Sequence, residues 1–306
     1  MTSPSLLPDR PAPDRPSPDR QLPDRPAPDQ PSPDRQLPDR PALDAAALRA
    51  AVIRPGGLWR AVDVTAVTGS TNADLLARAA DGEPEGAVLA AEQQDAGRGR
   101  MGRSWVAPPR AALTFSMLLR PRDVPPARRG WLSLLAGVAA ASSVRAVAGV
   151  DATLKWPNDV LVRGAKLGGI LAEAAGQAVV VGIGLNVSTG PDELPPLGPG
   201  ALAATSLRLS GSARLDREAL LADLLAGFER RYRAWCQVLG DAERSGLHAE
   251  YTRLSATLGR RVRVERPGGQ QAAGLATGVD PDGRLLVRES PAAELAVAAG
   301  DVVHLR

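Results

Sequence analysis

From Leu43 onward the apolar positions of this 306-residue chain repeat with two different periods. "LDAAALRAAV" (43–52) has helical spacing and is stopped by "RPGG". "WRAVDVTAV" (59–67) reads as a strand, and "TGSTNADLLARAAD" (68–81) as a turn leading into a helix that Ser70, Thr71 or Asn72 can cap. "GAVLAAEQQ" (86–94) and "ALTFSMLLRP" (112–121) read as strands, the latter with alternating faces. "ARRGWLSLLAGVAAASSVRAVA" (127–148) is a long helix, apolar nearly all round and therefore buried. "ATLKWPNDVLV" (152–162), "AKLGGILAEAA" (165–175) and "AVVVGIGLNV" (178–187) are β-rich with tight turns. A Pro- and Gly-rich loop (188–207) and an amphipathic helix, "LDREALLADLLAGFERRYRAW" (215–235), follow.

The pattern changes at both ends. After Leu258 come short strands punctuated by "PDG" and "AGD" turns, the spacing of a small β-barrel of roughly 50 residues. Residues 8–41 are a pentad array built on "PDR", with too much proline for helix or sheet and little to bury. The expected organisation is a disordered tail (1–43), an α+β domain with a mixed, mostly antiparallel sheet (44–257) and a small β-barrel domain (258–306). A passive tail predicts that deleting 1–43 leaves activity intact.

Composition narrows the classes. No apolar run reaches the length of a membrane span, and the N-terminus lacks the basic and apolar regions of a secretory signal. One cysteine and two histidines exclude an internal disulfide and argue against a Cys/His metal site. These features predict a cytoplasmic protein. A net charge of +3 allows an anionic ligand without demanding nucleic acid. Of 37 basic residues only two are lysines, Lys155 and Lys166, and asparagine occurs only at Asn72, Asn158 and Asn186. In a background that favours arginine, a surviving lysine marks a place that needs a compact ammonium.

The chemistry concentrates in a few segments. "GRGRMGR" (97–103) is no Walker loop, since it lacks the lysine, and its Rossmann-like spacing does not open a helix. By itself it reads equally as a solvated basic turn or as a clamp in which Arg98 and Arg100 grip carboxylate or phosphate oxygens. "KWPND" crowds Lys155, Asn158 and Asp159 into one turn. "KLGG" sets Lys166 before two glycines that let backbone approach a ligand, and "GIGLN" sets Asn186 beside two more.

Together "GSTN", "EQQDAGRGRMGRSW", "KWPNDV", "KLGGILAE" and "VGIGLNV", in this order, resemble the biotin–protein ligases over roughly residues 60–306. The resemblance implies a catalytic domain like that of class II aminoacyl-tRNA synthetases, followed by an SH3-like barrel. It implies activation of biotin with ATP and Mg²⁺ as biotinyl-5′-AMP, then transfer to a lysine of a biotin carboxyl carrier domain. Ser70, Thr71, Asn72 and Gln94 would hold the ureido ring. Arg98, Gly99 and Arg100 would close over the adenylate, with Arg103 nearer the phosphates and Trp105 walling the pocket. Asn158 and Asn186 would face the nucleotide, Lys166 would neutralise the reacting junction, and Asp159 would orient or deprotonate the acceptor lysine. Arg306 matches a nucleotide-facing barrel arginine by position. Some family members carry an N-terminal DNA-binding domain; the PDR array cannot form a recognition helix, so a ligase without operator binding is expected. A lipoate or octanoyl transferase, an arginine-rich RNA-binding module and an inactive homologue are the competing readings.

Overall fold

A computed structural model describes residues 40–197, 202–265, 271–298 and 300–305, together with Met1. The PDR array before residue 40, and Arg306, lie outside the described residues.

Seven strands form the main sheet: β1 (Ala61–Thr68), β2 (Ala87–Gln94), β3 (Ala112–Leu119), β4 (Ala152–Lys155), β5 (Asp159–Val162), β6 (Ala165–Ala175) and β7 (Ala178–Asn186). Their spatial order is β1-β2-β3-β7-β6-β5-β4. β1 and β2 run parallel, joined by helix α2 (Thr71–Ala80); every other neighbouring pair is antiparallel. A parallel pair needs a crossover, and α2 supplies it.

Side-chain alternation divides the sheet into two faces. Val88, Met117 and Val181 belong to the main core with α1 (Ala45–Val52), α3 (Trp131–Ser143) and α4 (Arg217–Gln237). Leu89, Leu118 and Val180 point the other way and pack under α2 at Leu75 and Ala79. The helical stretch Pro126–Ala148, centred on α3, is long and apolar enough to cross a membrane by composition, but 72% of its apolar window is buried in this core. A helix α5 (Leu247–Leu254), not anticipated from the sequence, buries Leu247, Tyr251 and Leu254 at i, i+4 and i+7.

The C-terminal strands β8 (Arg261–Glu265), β9 (Gln271–Val279), β10 (Leu285–Ser290), β11 (Ala293–Val297) and β12 (Asp301–His304) make the small antiparallel SH3-like unit, ordered β11-β10-β9-β8-β12. Two fully buried tryptophans hold it to the larger part. Trp131 donates its indole N–H to the Asp280 carbonyl at 3.1 Å, and Trp156 donates to the Gly283 carbonyl at 3.1 Å. Gly130 is required at this seam, because a Cβ there would lie 2.4 Å from the Asp282 carbonyl oxygen.

The chain just before α1 is also tied down. A buried pair, Arg217–Glu92 at 2.6 Å, is completed by the Leu43 amide donating to Glu92 and by Arg217 donating to the Pro41 carbonyl. Arg40, the last arginine of the array, reaches Glu193 at 2.6 Å.

Candidate functional site

Three rows run across β3, β7 and β6 on the α2 face. The first pairs Leu118 with Val180 and Glu173, the second Ser116 with Gly182 and Leu171, the third Thr114 with Gly184 and Gly169. Side chains shrink along this series, so the core under α2 gives way to a cavity of about 110 Å³ at the helix N-terminus. The glycines are there for close approach. A Cβ on Gly182 would lie 2.2 Å from Asn72 Oδ1, and one on Gly184 would lie 2.4 Å from the Trp105 ring.

One end of the cavity is lined by neutral side chains in a hydrogen-bond network that Glu173 backs from outside the lining. Ser70 caps α2 by accepting from the Ala73 amide. The Gln94 side-chain oxygen accepts from the Thr71 amide at 2.8 Å and from its hydroxyl at 3.0 Å. Ser116 donates to Asn72 Oδ1 at 2.6 Å, and Asn72 Nδ2 donates to the Leu171 carbonyl and to Glu173. Sequence reasoning missed Ser116 and Glu173. Both stand on the α2 face of their strands, Ser116 two residues before the buried Leu118 and Glu173 two residues after the half-buried Leu171, which is the local signal they carry.

The other end is charged. Asp159 receives Lys166 Nζ at 2.7 Å on one carboxylate oxygen and faces Lys155 Nζ at 3.9 Å on the other. Arg103 donates to Asp301 of the barrel at 2.8 Å. Burial pushes the Arg100 guanidinium below its usual value, with Arg103 adding to the effect and Asp301 and Asp159 opposing it. It nevertheless stays protonated, as arginine does in proteins. Burial likewise lowers the Lys155 ammonium. Asp159 and Asp301 thus face three lining cations, Lys166, Arg100 and Arg103, with Lys155 outside the lining beside Asp159, an imbalance suited to an anionic ligand.

The loop between β2 and β3 connects the two ends. Gly99 N–H donates to the Arg103 carbonyl at 2.6 Å and Trp105 N–H to the Gly97 carbonyl at 2.8 Å, so 97–105 is a small hairpin with an Arg98–Ser104 bridge. Its tip turns through Met101 (φ 54°) and Gly102 (φ 72°). Arg98 points back to Glu173 at 3.4 Å. Trp105 lies against Gly184 and Gly169, and its buried indole N–H has no acceptor among the described residues. A buried, unpaired donor beside a cavity is a place for a ligand acceptor.

The sequence-derived set therefore converges, with one exception. Ser70, Thr71, Asn72, Gln94, Gly99, Arg100, Arg103, Trp105, Asn158 and Lys166 line the cavity; Asp159 and Arg98 are bound to its rim. Asn186 is not among the lining residues: it is buried, and its Nδ2 donates to the Thr205 carbonyl at 3.0 Å. That bond steadies the segment whose Ala203 carbonyl and Thr205 amide pair with the backbone of Lys166. Asn158, although lining the cavity, donates to the Ile170 carbonyl. A larger cleft, of about 670 Å³, adjoins Tyr232 and Cys236, but burial pushes the Cys236 thiol up to about 11, which removes it as a nucleophile.

Comparison with known proteins places this geometry. The biotin/lipoate A/B protein ligase family matches residues 64–188, and the biotin protein ligase C-terminal domain matches 257–305. The biotin–[acetyl-CoA-carboxylase] ligase of Mycobacterium tuberculosis is 49% identical over 264 residues, covering 85% of this chain and 95% of that protein. The chain belongs to the biotin protein ligase family. A second ligase of the same name, from Paracoccus denitrificans, is 36% identical over 77% of this chain and 97% of its own. Among solved structures, the Aquifex aeolicus biotin protein ligase in complex with biotin and ATP superposes with a TM-score of 0.64 at 23% identity, covering 80% of this chain and 98% of that one. That likeness carries the fold: a mixed sheet with helices and an SH3-like C-terminal unit.

Proposed function

We propose that this protein is an ATP-dependent ligase that activates biotin as biotinyl-5′-AMP and transfers it to a lysine of a biotin carboxyl carrier domain. The observation that carries this reading is a single cavity with a neutral, doubly hydrogen-bonding end and a cationic end, joined by one arginine–glycine hairpin. A cyclic urea offers one acceptor and two donors, which suits Thr71, Asn72, Ser116 and Gln94. The carboxylate and the α-phosphate then meet at the cationic end, where Lys166 offsets the repulsion between two anions. Most of the acceleration comes from positioning the reactants.

Transfer follows in the same cavity. The acceptor lysine, with a free pKa of about 10.4, arrives protonated. It loses one proton to Asp159, its nitrogen bonds to the biotinyl carbon, and the bond from that carbon to the phosphate oxygen breaks. AMP leaves, and the second nitrogen proton passes to water. Trp105 and the 97–105 hairpin shield the labile anhydride from water until the carrier arrives.

Mg²⁺ would enter on the ATP phosphates, where it supplies charge neutralisation. The described residues hold no group of three acidic or His/Cys ligands, which fits a cation carried mainly by the nucleotide. The carrier partner, the cytoplasmic setting and the lack of operator binding belong to the same proposal. The test is biotin-dependent ATP–pyrophosphate exchange by the purified chain, followed by biotin transfer to the carrier domain of acetyl-CoA carboxylase. No exchange by the wild type overturns the reading.

A further inference from the structure

Of the two lysines, Lys155 has no part in the scheme above, yet it is the more enclosed. Its side chain is 12% exposed, against 31% for Lys166. Lys155 ends β4 and Asp159 begins β5; they are direct partners across the β4–β5 hairpin, so both side chains stand on one face of the sheet. Trp156 between them is anchored to the barrel through Thr257 and Gly283, which fixes the hairpin and with it the spacing of the two charged groups.

Asp159 is thus held from two sides. Lys166 takes one oxygen at 2.7 Å and Lys155 faces the other at 3.9 Å. The groups acting on Lys155 from the surrounding elements are Asp159 on β5, Lys166 on β6, Arg103 in the hairpin and Asp301 on β12, while Lys155 in turn acts on His304 of β12. An arginine at position 155 would bring a broad planar fork to a site where an enclosed point charge meets one carboxylate oxygen. Lys166 lines the ligand cavity and Lys155 does not. When an anion draws Lys166 away, Lys155 is the cation that stays with Asp159.

We propose that Lys155 is a positioning residue for the transfer half-reaction, holding the Asp159 carboxylate in place for the acceptor lysine while Lys166 is engaged by the phosphate. This rests on the ligase reading given above. It separates the two half-reactions: adenylate synthesis draws on Lys166, and proton removal from the acceptor draws on Asp159 and its remaining cation.

The experiment measures both half-reactions in full-length Lys155→Met and Lys155→Arg. Biotinyl-5′-AMP is formed on the enzyme, and single-turnover transfer to the carrier domain is followed from pH 6 to 9. Hydroxylamine, a neutral nucleophile that needs no base, serves as the alternative acceptor. In Lys155→Met, transfer to the carrier lysine should fall by about tenfold or more, a part of the roughly 10²–10⁴-fold that a well-placed general base contributes. Pyrophosphate exchange and hydroxylamine capture should fall by a much smaller factor. The acid limb of the transfer profile should move to higher pH, because losing a neighbouring cation favours the protonated carboxyl. Lys155→Arg should restore transfer in part. An equal loss in all three assays, or an unchanged transfer rate and pH profile, overturns the proposal. If the wild type forms no adenylate, it is the ligase reading that fails instead.

Discussion

The two ends of the cavity use polar side chains in opposite ways. At the α2 end, Thr71, Asn72, Gln94 and Ser116 are neutral, buried or nearly so, and bonded to one another. At the barrel end the lining cations Lys166, Arg100 and Arg103, with Lys155 beside Asp159 outside the lining, face Asp159 and Asp301 among the described residues. The neutral end is prebuilt, and a ligand must exchange hydrogen bonds with it one for one. The cationic end is short of anions, and a ligand supplies them. Orientation and selectivity come from the first arrangement, while attraction and charge stabilisation come from the second.

That contrast can be broken experimentally. The largest effect is expected from Lys166→Ala, which should lower biotin-dependent pyrophosphate exchange by about 10²–10³-fold, the loss typical of removing one group that stabilises developing charge. Next comes Asn72→Ala at the neutral end. It removes the 2.6 Å acceptor of Ser116 and the amide that bonds Leu171 and Glu173, and should cost about 1–3 kcal/mol, read as a rise of about tenfold or more in the KM for biotin. That rise should not depend on salt and should leave the KM for ATP in place; an equal rise for ATP would erase the distinction between the ends.

A third polar assembly, outside the cavity lining, provides the reference. The Arg217–Glu92 pair is closed by Pro41 and Leu43 and has no surplus charge. Truncation through residue 39 should leave Tm unchanged. Truncation through 43 should lower stability by about 1–3 kcal/mol, since buried partners are stranded, without altering either KM. Smaller again is Asp301→Asn: its partner Arg103 is more than half exposed, so exchange should change by about fivefold at most, mainly at low ionic strength.

The smallest effect concerns His304, whose ring lies 3.1 Å from the Thr257 hydroxyl. Burial, with Lys155 and Arg260 nearby, pushes it down to about 4 from an ordinary 6.5. The unfolded chain therefore binds the extra proton first. His304 contributes stability that is present above about pH 6.5 and lost as pH falls towards 4. In wild type, thermal melts between pH 7 and 4.5 should show a steeper fall in Tm than in His304→Gln, and ATP, by adding negative charge at this end, should shrink the difference.

Much of this was legible beforehand, for identifiable reasons. Lys166 and the arginines of 97–103 carry chemistry in their residue type and sit beside glycines, Asp159 shares a crowded turn with Lys155 and Asn158, and the structure gathers them at one cavity. Ser116 and Glu173 were not legible, because a serine in an apolar strand and a glutamate in a strand have no distinguishing neighbours. Asp301 was hidden in an ordinary "AGD" turn, and only the docking of the barrel brings it to Arg103. Asn186 shows the converse: its neighbours marked it as a ligand contact, whereas its amide is used to hold Thr205 next to Lys166.

The sequence by itself determined the elements and their order, because periods of 2 and 3.6 are local properties of the chain. It also determined which residues could do chemistry, because a scarce lysine or asparagine stands out without any fold. Only the tertiary structure decided which of them meet. The rows Ser116–Gly182–Leu171 and Thr114–Gly184–Gly169 exist through strand register. The rows join β3 to β6 and β7 across more than fifty residues of chain, and the two-sided grip on Asp159, though its three residues are near in sequence, arises only where β4, β5 and β6 pair side by side in this register.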